Sequence, residues 1–208
     1  MRPRAVAVVL AAGAGRRFGA PKAALHLKGR WMLPLLIRSL REGGAGEVRL
    51  VLSAAAEEAI SGLGPDGADR RLRNPRPEAG RTGSLQIALD PALPEPEPLL
   101  VHPADIPLLR AEVVRSLLEA WAAAPDPGRA LVRPVTPGGR GGHPLVLGPA
   151  WLPRVRALGP DESLRTLLAE GRRHLRSLRV AGDPGPFLDV DTPEQARFLE
   201  SLLDGGPS

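Results

Sequence analysis

The sequence contains no cysteine and no tyrosine, a single asparagine, Asn74, and only two lysines, Lys22 and Lys28. Without thiols there is no disulfide scaffold, no thiolate metal centre and no cysteine nucleophile. Aromatic residues make up 3% of the chain, a poor supply for the stacking platforms that hold nucleic-acid bases. No apolar run reaches the roughly 18 residues that a membrane span needs. Met1 to Arg4 followed by the apolar Ala5 to Ala12 has the order of a short signal sequence, but Gly13 to Gly19 brings Arg16 and Arg17 and no cleavage-like end. The expected location is cytoplasmic, with no membrane partner.

What is present suits one globular α/β domain spanning residues 1–208. The composition is 43% hydrophobic and 25% charged, and a chain of this length buries roughly 70% of its unfolded surface. The 24 glycines and 24 prolines punctuate apolar segments without forming repeats, which is turn chemistry. Twenty-eight basic residues oppose 23 acidic ones, and nearly all the basic ones are arginine. That bias fits a G+C-rich coding background or a heat-tolerant lifestyle that avoids amides. Because the arginines are scattered, they do not make the basic stripe of a nucleic-acid binder, and no nucleic-acid partner is expected.

Apolar runs over Ala5 to Leu10, Val48 to Leu52 and Leu99 to Val101 predict buried strands, with a weaker strand over Ala68 to Asn74. Helices are predicted over Trp31 to Glu42, stopped by Gly43-Gly44, over Ala54 to Gly62 with Ser53 as N-cap, and over Thr82 to Leu89 and Arg110 to Ala124. Further strands are expected at Arg129 to Val135, Leu145 to Leu147 and Leu175 to Val180. Helices are also expected near Pro149 to Leu158, Ser163 to Gly171 and Pro193 to Leu203. Strand and helix alternate, which predicts a mostly parallel Rossmann-like sheet with helices on both faces. Ligands of such sheets gather at the carboxyl ends of the strands. Residues 138–182, where the rhythm changes, are expected to lie on the acceptor side as a lid or subdomain.

Three loops at strand ends carry chemistry. The first, Leu10-Ala11-Ala12-Gly13-Ala14-Gly15-Arg16-Arg17-Phe18-Gly19-Ala20-Pro21-Lys22, offers backbone N–H groups and two cations, Arg17 and Lys22, to a triphosphate. Its glycines, Gly13, Gly15 and Gly19, are one residue too widely spaced for the dinucleotide fingerprint. Ser53 stands where that fingerprint wants an acid, and Pro21 before Lys22 excludes a P-loop. A plain glycine-rich turn has the same outline, but the scarcity of lysine marks Lys22 as a position that needs a compact charge. In the second loop Asn74-Pro75 precedes Gly80-Arg81-Thr82-Gly83-Ser84. Asn74 serves there either as turn chemistry or, with Gly80 and Ser84, as a base and ribose contact. In the third, Pro103-Ala104-Asp105-Ile106-Pro107, Asp105 is either a metal ligand or the N-cap of the next helix. Near the C-terminus, Asp189-Val190-Asp191-Thr192-Pro193 reads as a strand followed by a helix capped by Thr192. Strand alternation would put Asp189 and Asp191 on one face, and with Asp105 they would form a hard oxygen site for Mg²⁺. His143, beside Pro144, is a structural residue or an acceptor contact.

Taken together, Leu10-Ala11-Ala12-Gly13 with Arg17, Gly19, Pro21 and Lys22, Asn74-Pro75 with Gly80 and Ser84, Pro103-Ala104-Asp105, Gly142-His143-Pro144 and Asp189 to Glu194 resemble the nucleotidyltransferases of molybdenum cofactor maturation. The resemblance is strongest to the MocA-like cytidylyltransferase branch, beside the MobA-like guanylyltransferases. It implies a Mg²⁺-dependent enzyme that joins CMP from CTP to the terminal phosphate of molybdopterin and releases pyrophosphate. The guanylyl branch would use GTP, and another phosphorylated acceptor such as a sugar phosphate would keep the same chemistry. A non-catalytic nucleotide-binding module is the remaining alternative. The resemblance further implies contact with a molybdoenzyme or its chaperone. It gives Lys22, Arg17 and Asp105 the catalytic roles, and nucleotide contacts to Leu10, Ala11, Ala12, Gly13, Gly15, Lys22, Asn74, Gly80 and Ser84. His143 would contact the acceptor, and Asp105, Asp191 and Asp189 the metal. An Ala-Ala-Gly loop goes with cytidine in this family and an Ala-Gly-Gly loop with guanine, so Ala12 points to CTP. Phe18 in place of methionine, Ala23-Ala24 in place of a more aliphatic pair and Gln195 in place of an acid depart from the pattern.

Overall fold

The structure, a computed structural model, describes residues 5–159 and 162–204. Met1 to Arg4, with the start of the signal-like segment, lie outside the described residues. Seven strands form one sheet: β1 (Val6–Leu10), β4 (Glu47–Leu52), β5 (Arg70–Arg73), β6 (Leu99–Pro103), β7 (Leu131–Val135), β8 (Leu145–Leu147) and β9 (Leu175–Arg179). Two short strands, β2 (His26–Leu27) and β3 (Arg30–Trp31), pair as a separate hairpin. The sheet order is β5-β4-β1-β6-β8-β7-β9. Every pairing is parallel except those of β8, which runs against both β6 and β7.

The apolar runs sit at the centre because a strand covered on both faces has no side to leave polar. One face of the sheet is covered by α1 (Met32–Glu42), α2 (Ala54–Ile60) and α4 (Ala111–Ala122), which bury Leu36, Ile37, Leu40, Val114, Leu117 and Trp121 against Ala7, Val9 and Leu50. The other face is covered by α3 (Gly80–Ile87), α5 (Leu152–Arg156) and α6 (Leu164–Glu170), whose Leu85, Leu152, Val155 and Leu167 pack on Val8, Val51, Val101 and Leu131. A third, small core joins α7 (Pro193–Asp204) to the β2–β3 hairpin through Leu25, Leu27, Met32, Val190 and Leu199.

Helix ends follow the local chemistry. Ser53 caps α2 by accepting from the Ala56 N–H at 3.2 Å. Gly43 closes α1 against α4, where even a β-carbon would meet Val114 at 2.3 Å. All but one of the expected elements are present, most with shifted bounds. Residues 138–182 differ from the expected lid. Their strands complete the common sheet, and α5 is clamped to α3 because Gln86 Nε2 donates to the carbonyls of Val155, Arg156 and Leu158. The strand expected at Asp189 to Asp191 is absent. A 3-10 turn, Gly185–Phe187, leads instead into an extended segment without a ladder partner.

Candidate active site

At the carboxyl ends of β1 and β6 the chain opens a cleft of about 640 Å³. Leu10 to Arg17 and Lys22 form one wall, Pro77, Glu78, Gly80, Arg81 and Ser84 another, and Pro103, Ala104, Asp105 and Asp191 the floor. The first loop turns back on itself: the N–H groups of Phe18 and Gly19 both donate to the Gly15 carbonyl. Gly15 has φ +61°, and a β-carbon there would sit 1.7 Å from the Ala20 carbonyl oxygen, so only glycine closes this turn. Gly13 is exposed with open space over its α-carbon, which leaves its backbone open to close approach by a ligand.

Lys22 reaches from its wall onto the floor. Its Nζ donates to Asp105 Oδ2 at 3.3 Å and to Asp191 Oδ1 at close range. Arg81 Nη2 donates to the same Asp105 oxygen at 2.9 Å, while Arg17 lies 3.9 Å from the second Asp191 oxygen. Asp105 is buried and its Oδ1 has no hydrogen-bond partner. The hydrogen bond from Lys22 holds the Asp191 carboxyl below its usual range against partial burial, and the charges of Lys22, Arg17 and Arg81 add to the effect. Asp105 is not a helix cap: α4 begins only at Ala111, after Arg110 as its N-cap residue.

The C-terminal segment is fastened to this floor. The Val190 N–H donates to the Asp105 carbonyl at 2.8 Å, and the Val190 side chain is fully buried. Gln195 Oε1 accepts from the N–H groups of Asp191 and Thr192, and Thr192 Oγ1 accepts from the Gln195 N–H at 3.3 Å. This reciprocal cap turns Asp191 inward. It also overturns the expected trio of carboxylates. Without a ladder the segment has no strand period, Val190 takes the inward position, and Asp189 is exposed and outside the cleft. Among the described residues no group of three or more acidic, histidine or cysteine side chains assembles that would hold a metal ion.

Two further expected contacts lie beside the cleft. Asn74 Nδ2 donates to Ser84 Oγ at 2.9 Å and its Oδ1 accepts from the Arg76 N–H at 2.8 Å. Asn74 therefore positions Ser84, which lines the cleft, and faces a neighbouring groove itself. The His143 ring stands edge-on to His102 at 6.2 Å, with Nδ1 buried and unpartnered, and does not line the cleft. Burial pushes its pKa down against the Val101 carbonyl; Arg81 lowers it further and Asp105 raises it. Conversely, Arg81 has a site position that the resemblance left without a role. Its signal was its place in the first turn of α3, next to Gly80.

Residues 7–177 match the model of the MobA-like NTP transferase domain. The chain belongs to this family. Its similarity to a probable molybdenum cofactor guanylyltransferase from Chloroflexus aggregans is 30% identity over 94% of this chain and 93% of the relative. It is also 31% identical to a nicotine blue oxidoreductase from Paenarthrobacter nicotinovorans, over 93% and 95% of the two chains. Among solved structures, the Mycobacterium sp. strain JC1 homologue of Mycobacterium tuberculosis Rv0371c superposes with a TM-score of 0.79 at 28% identity, covering 98% of each chain. Rv0371c itself, in a complex with manganese, gives 0.74 at 25% identity over 97% and 100%. As a MobA-like family member the chain is a nucleotidyltransferase, and its fold and glycine loop are those of that chemistry. No described helix is long and apolar enough to cross a membrane.

Proposed function

We propose that the chain transfers CMP from CTP to the terminal phosphate of molybdopterin. An acceptor phosphate oxygen forms a bond to the α-phosphorus, the bond from that phosphorus to the α,β-bridging oxygen breaks, and pyrophosphate leaves with the electron pair. The observation that carries this reading is Lys22 on the cleft floor between Asp105 and Asp191, beneath the glycine loop. No protein nucleophile is required, so positioning and charge stabilisation supply the catalysis. The open backbone at Gly13 and the Gly15 turn cradle phosphate oxygens, while Arg17, Lys22 and Arg81 balance the charge developing on the triphosphate. Ser84, held by Asn74, contacts the nucleoside. Ala12 in the Ala-Ala-Gly sequence supports cytidine over guanine.

The floor also fits a divalent cation such as Mg²⁺. Asp105 keeps one buried carboxylate oxygen without a partner, and Asp105 and Asp191 are hard oxygen donors of the kind that share Mg²⁺ with phosphates and water. When bound, the cation would neutralise phosphate charge. Asp105 and Asp191 would hold it, with Lys22 transferring its contacts to the nucleotide.

Base choice is tested by thermal unfolding with CTP, GTP, ATP or UTP and Mg²⁺. A ligand at one hundred times its Kd stabilises the native state by about 2.7 kcal/mol, which for this size raises Tm by roughly 5–10 °C. CTP is expected to give the largest shift. A dominant GTP shift would move the assignment to the guanylyl branch.

A further inference from the structure

Both edges of the sheet are rich in arginine, and they are handled differently. On β5, Arg70 pairs with Glu47 at 3.0 Å, Arg71 with Asp66 at 2.8 Å and Arg73 with Glu57 at 3.5 Å. Charges on an edge strand discourage unwanted pairing, and here each one has an acidic neighbour. At the opposite edge, β9 pairs in parallel with β7 so that Arg133 stands beside Ser177, and Val135 beside Arg179. Registered partners in parallel strands share a face. Arg133, Ser177 and Arg179 therefore share the face on which Leu131 and Leu175 pack beneath α5 and α6, further along towards the carboxyl ends. Ser177 and Arg179 are exposed. No described carboxylate pairs with Arg133 or Arg179, and the buried Nε of Arg133 has no hydrogen-bond partner.

Arg133 is also seated in a made place. Its guanidinium lies along Gly141, where a β-carbon would meet Nη1 at 2.7 Å. The Gly142 N–H donates to the Pro134 carbonyl at 2.9 Å, so the glycine turn that leads to His143 is folded down onto β7. A half-buried guanidinium with an unsatisfied N–H loses hydration without recovering a bond. That loss is offset when an anion docks, and a planar fork of donors suits a multi-oxygen anionic group such as a carboxylate or phosphate.

The platform continues from the cleft. Asp105 follows β6, and the sheet order then runs β8, β7, β9. Continuing the register, Arg133 is level with Val101 and Arg179 with Pro103, so with strands about 4.8 Å apart and about 3.3 Å per residue the α-carbons of both lie about 16 Å from that of Asp105. We propose that Arg133 and Arg179, with Ser177, form a second anion subsite for the acceptor. The acceptor is thus an elongated molecule with a nucleophilic phosphate at one end and another anionic group at a distance of about 16 Å less the reach of an arginine side chain. A compact phospho-acid does not span both. This proposal rests on the nucleotidyl-transfer reading above for the direction in which the acceptor lies.

The test measures two equilibria on the wild type and on Arg133→Ser and Arg179→Ser: molybdopterin binding by its pterin fluorescence, and the CTP-induced shift in Tm. Arg179 is exposed, so its variant remains informative if Arg133→Ser folds poorly. The expected result is at least a tenfold loss of molybdopterin affinity in each folded variant, with the CTP shift unchanged. Molybdopterin binding within twofold of the wild type in both variants, or no binding by a wild type that does bind CTP, overturns the subsite. A wild type with no CTP shift but with arginine-dependent molybdopterin binding overturns the nucleotide reading and leaves the subsite standing.

Discussion

The Asp105 loop is held from below by a buried histidine, and this makes the fold sensitive to mild acid. His102 is fully buried, and its Nε2 lies 2.8 Å from the Ile106 carbonyl. The carbonyl accepts, so the proton sits on Nε2 and the unpartnered Nδ1 is the bare nitrogen of a neutral ring. Burial pushes the His102 pKa down to about 3, against the Ile106 hydrogen bond, and the neighbouring His143 adds to the lowering. A histidine with a folded pKa below its unfolded value of about 6.5 stabilises the native state only while both states are neutral. As pH falls below the unfolded pKa, the unfolded chain takes up a proton that the folded chain refuses. Stability is lost at about 1.4 kcal/mol per pH unit until the folded pKa is reached. Between pH 7.5 and 4.5 this one residue removes about 2.5 kcal/mol, a large part of a typical 5–15 kcal/mol. His102→Gln keeps an N–H for Ile106 and does not titrate. Urea unfolding across that pH range should show the wild type losing about 2.5 kcal/mol more than the variant. Parallel pH profiles for the two proteins would refute the assignment of a buried neutral His102.

Two other perturbations have calculable outcomes. Arg49 is fully buried on β4 and donates to Glu47 at 2.8 Å and to the carbonyls of Ala88 and Pro94, tying the strand to the end of α3. Arg49→Met takes one guanidinium from the buried Glu47 carboxylate, which keeps Arg70 at 3.0 Å, and removes the donors of the Ala88 and Pro94 carbonyls. It should cost about 3–5 kcal/mol, and the double change with Glu47→Leu should recover only the part due to the ion pair in a chemical-denaturation cycle. Burial would raise the Glu47 pKa, but Arg49 and Arg70 outweigh it and hold it low, so the pair's contribution is present above the normal glutamate pKa and disappears as pH falls through the lowered one. At Gly142 a β-carbon would sit 2.5 Å from both the Phe187 ring and the Pro186 carbonyl oxygen, and Gly142→Ala should lower stability by about 1–3 kcal/mol in thermal unfolding.

The sequence made legible whatever depended on local pattern. Continuous apolar runs located the central strands, Ser53 announced its helix, and the scarcity of lysine singled out the residue that sits on the cleft floor. The Thr192 cap was also readable, since Pro193 follows it. What failed depended on partners distant in the chain. Asp189 to Asp191 read locally as a strand, but no neighbouring strand pairs with the segment, so Val190 and not Asp189 sets the facing. Asn74 was marked by rarity, yet its amide is consumed by Ser84 and Arg76, a fact visible only once α3 is folded back beside β5. Arg81 was one arginine among many until its guanidinium reached Asp105. The basic edge at Arg133 and Arg179 was likewise hidden, because nothing local distinguishes an arginine with an acidic neighbour from one without.

The central claim is that the Lys22–Asp105 floor stabilises phosphate charge during nucleotidyl transfer. It is tested most directly by pyrophosphate release from CTP with Mg²⁺ and molybdopterin, comparing the wild type with Lys22→Ala. Removing one such preorganised charge typically costs about 10²–10³ in turnover. Asp105 retains Arg81 and Asp191 retains Arg17, so the variant should fold with a Tm within a few degrees of the wild type. A folded Lys22→Ala protein that releases pyrophosphate at least a hundredfold more slowly is the predicted result. Turnover within threefold of the wild type would contradict the account.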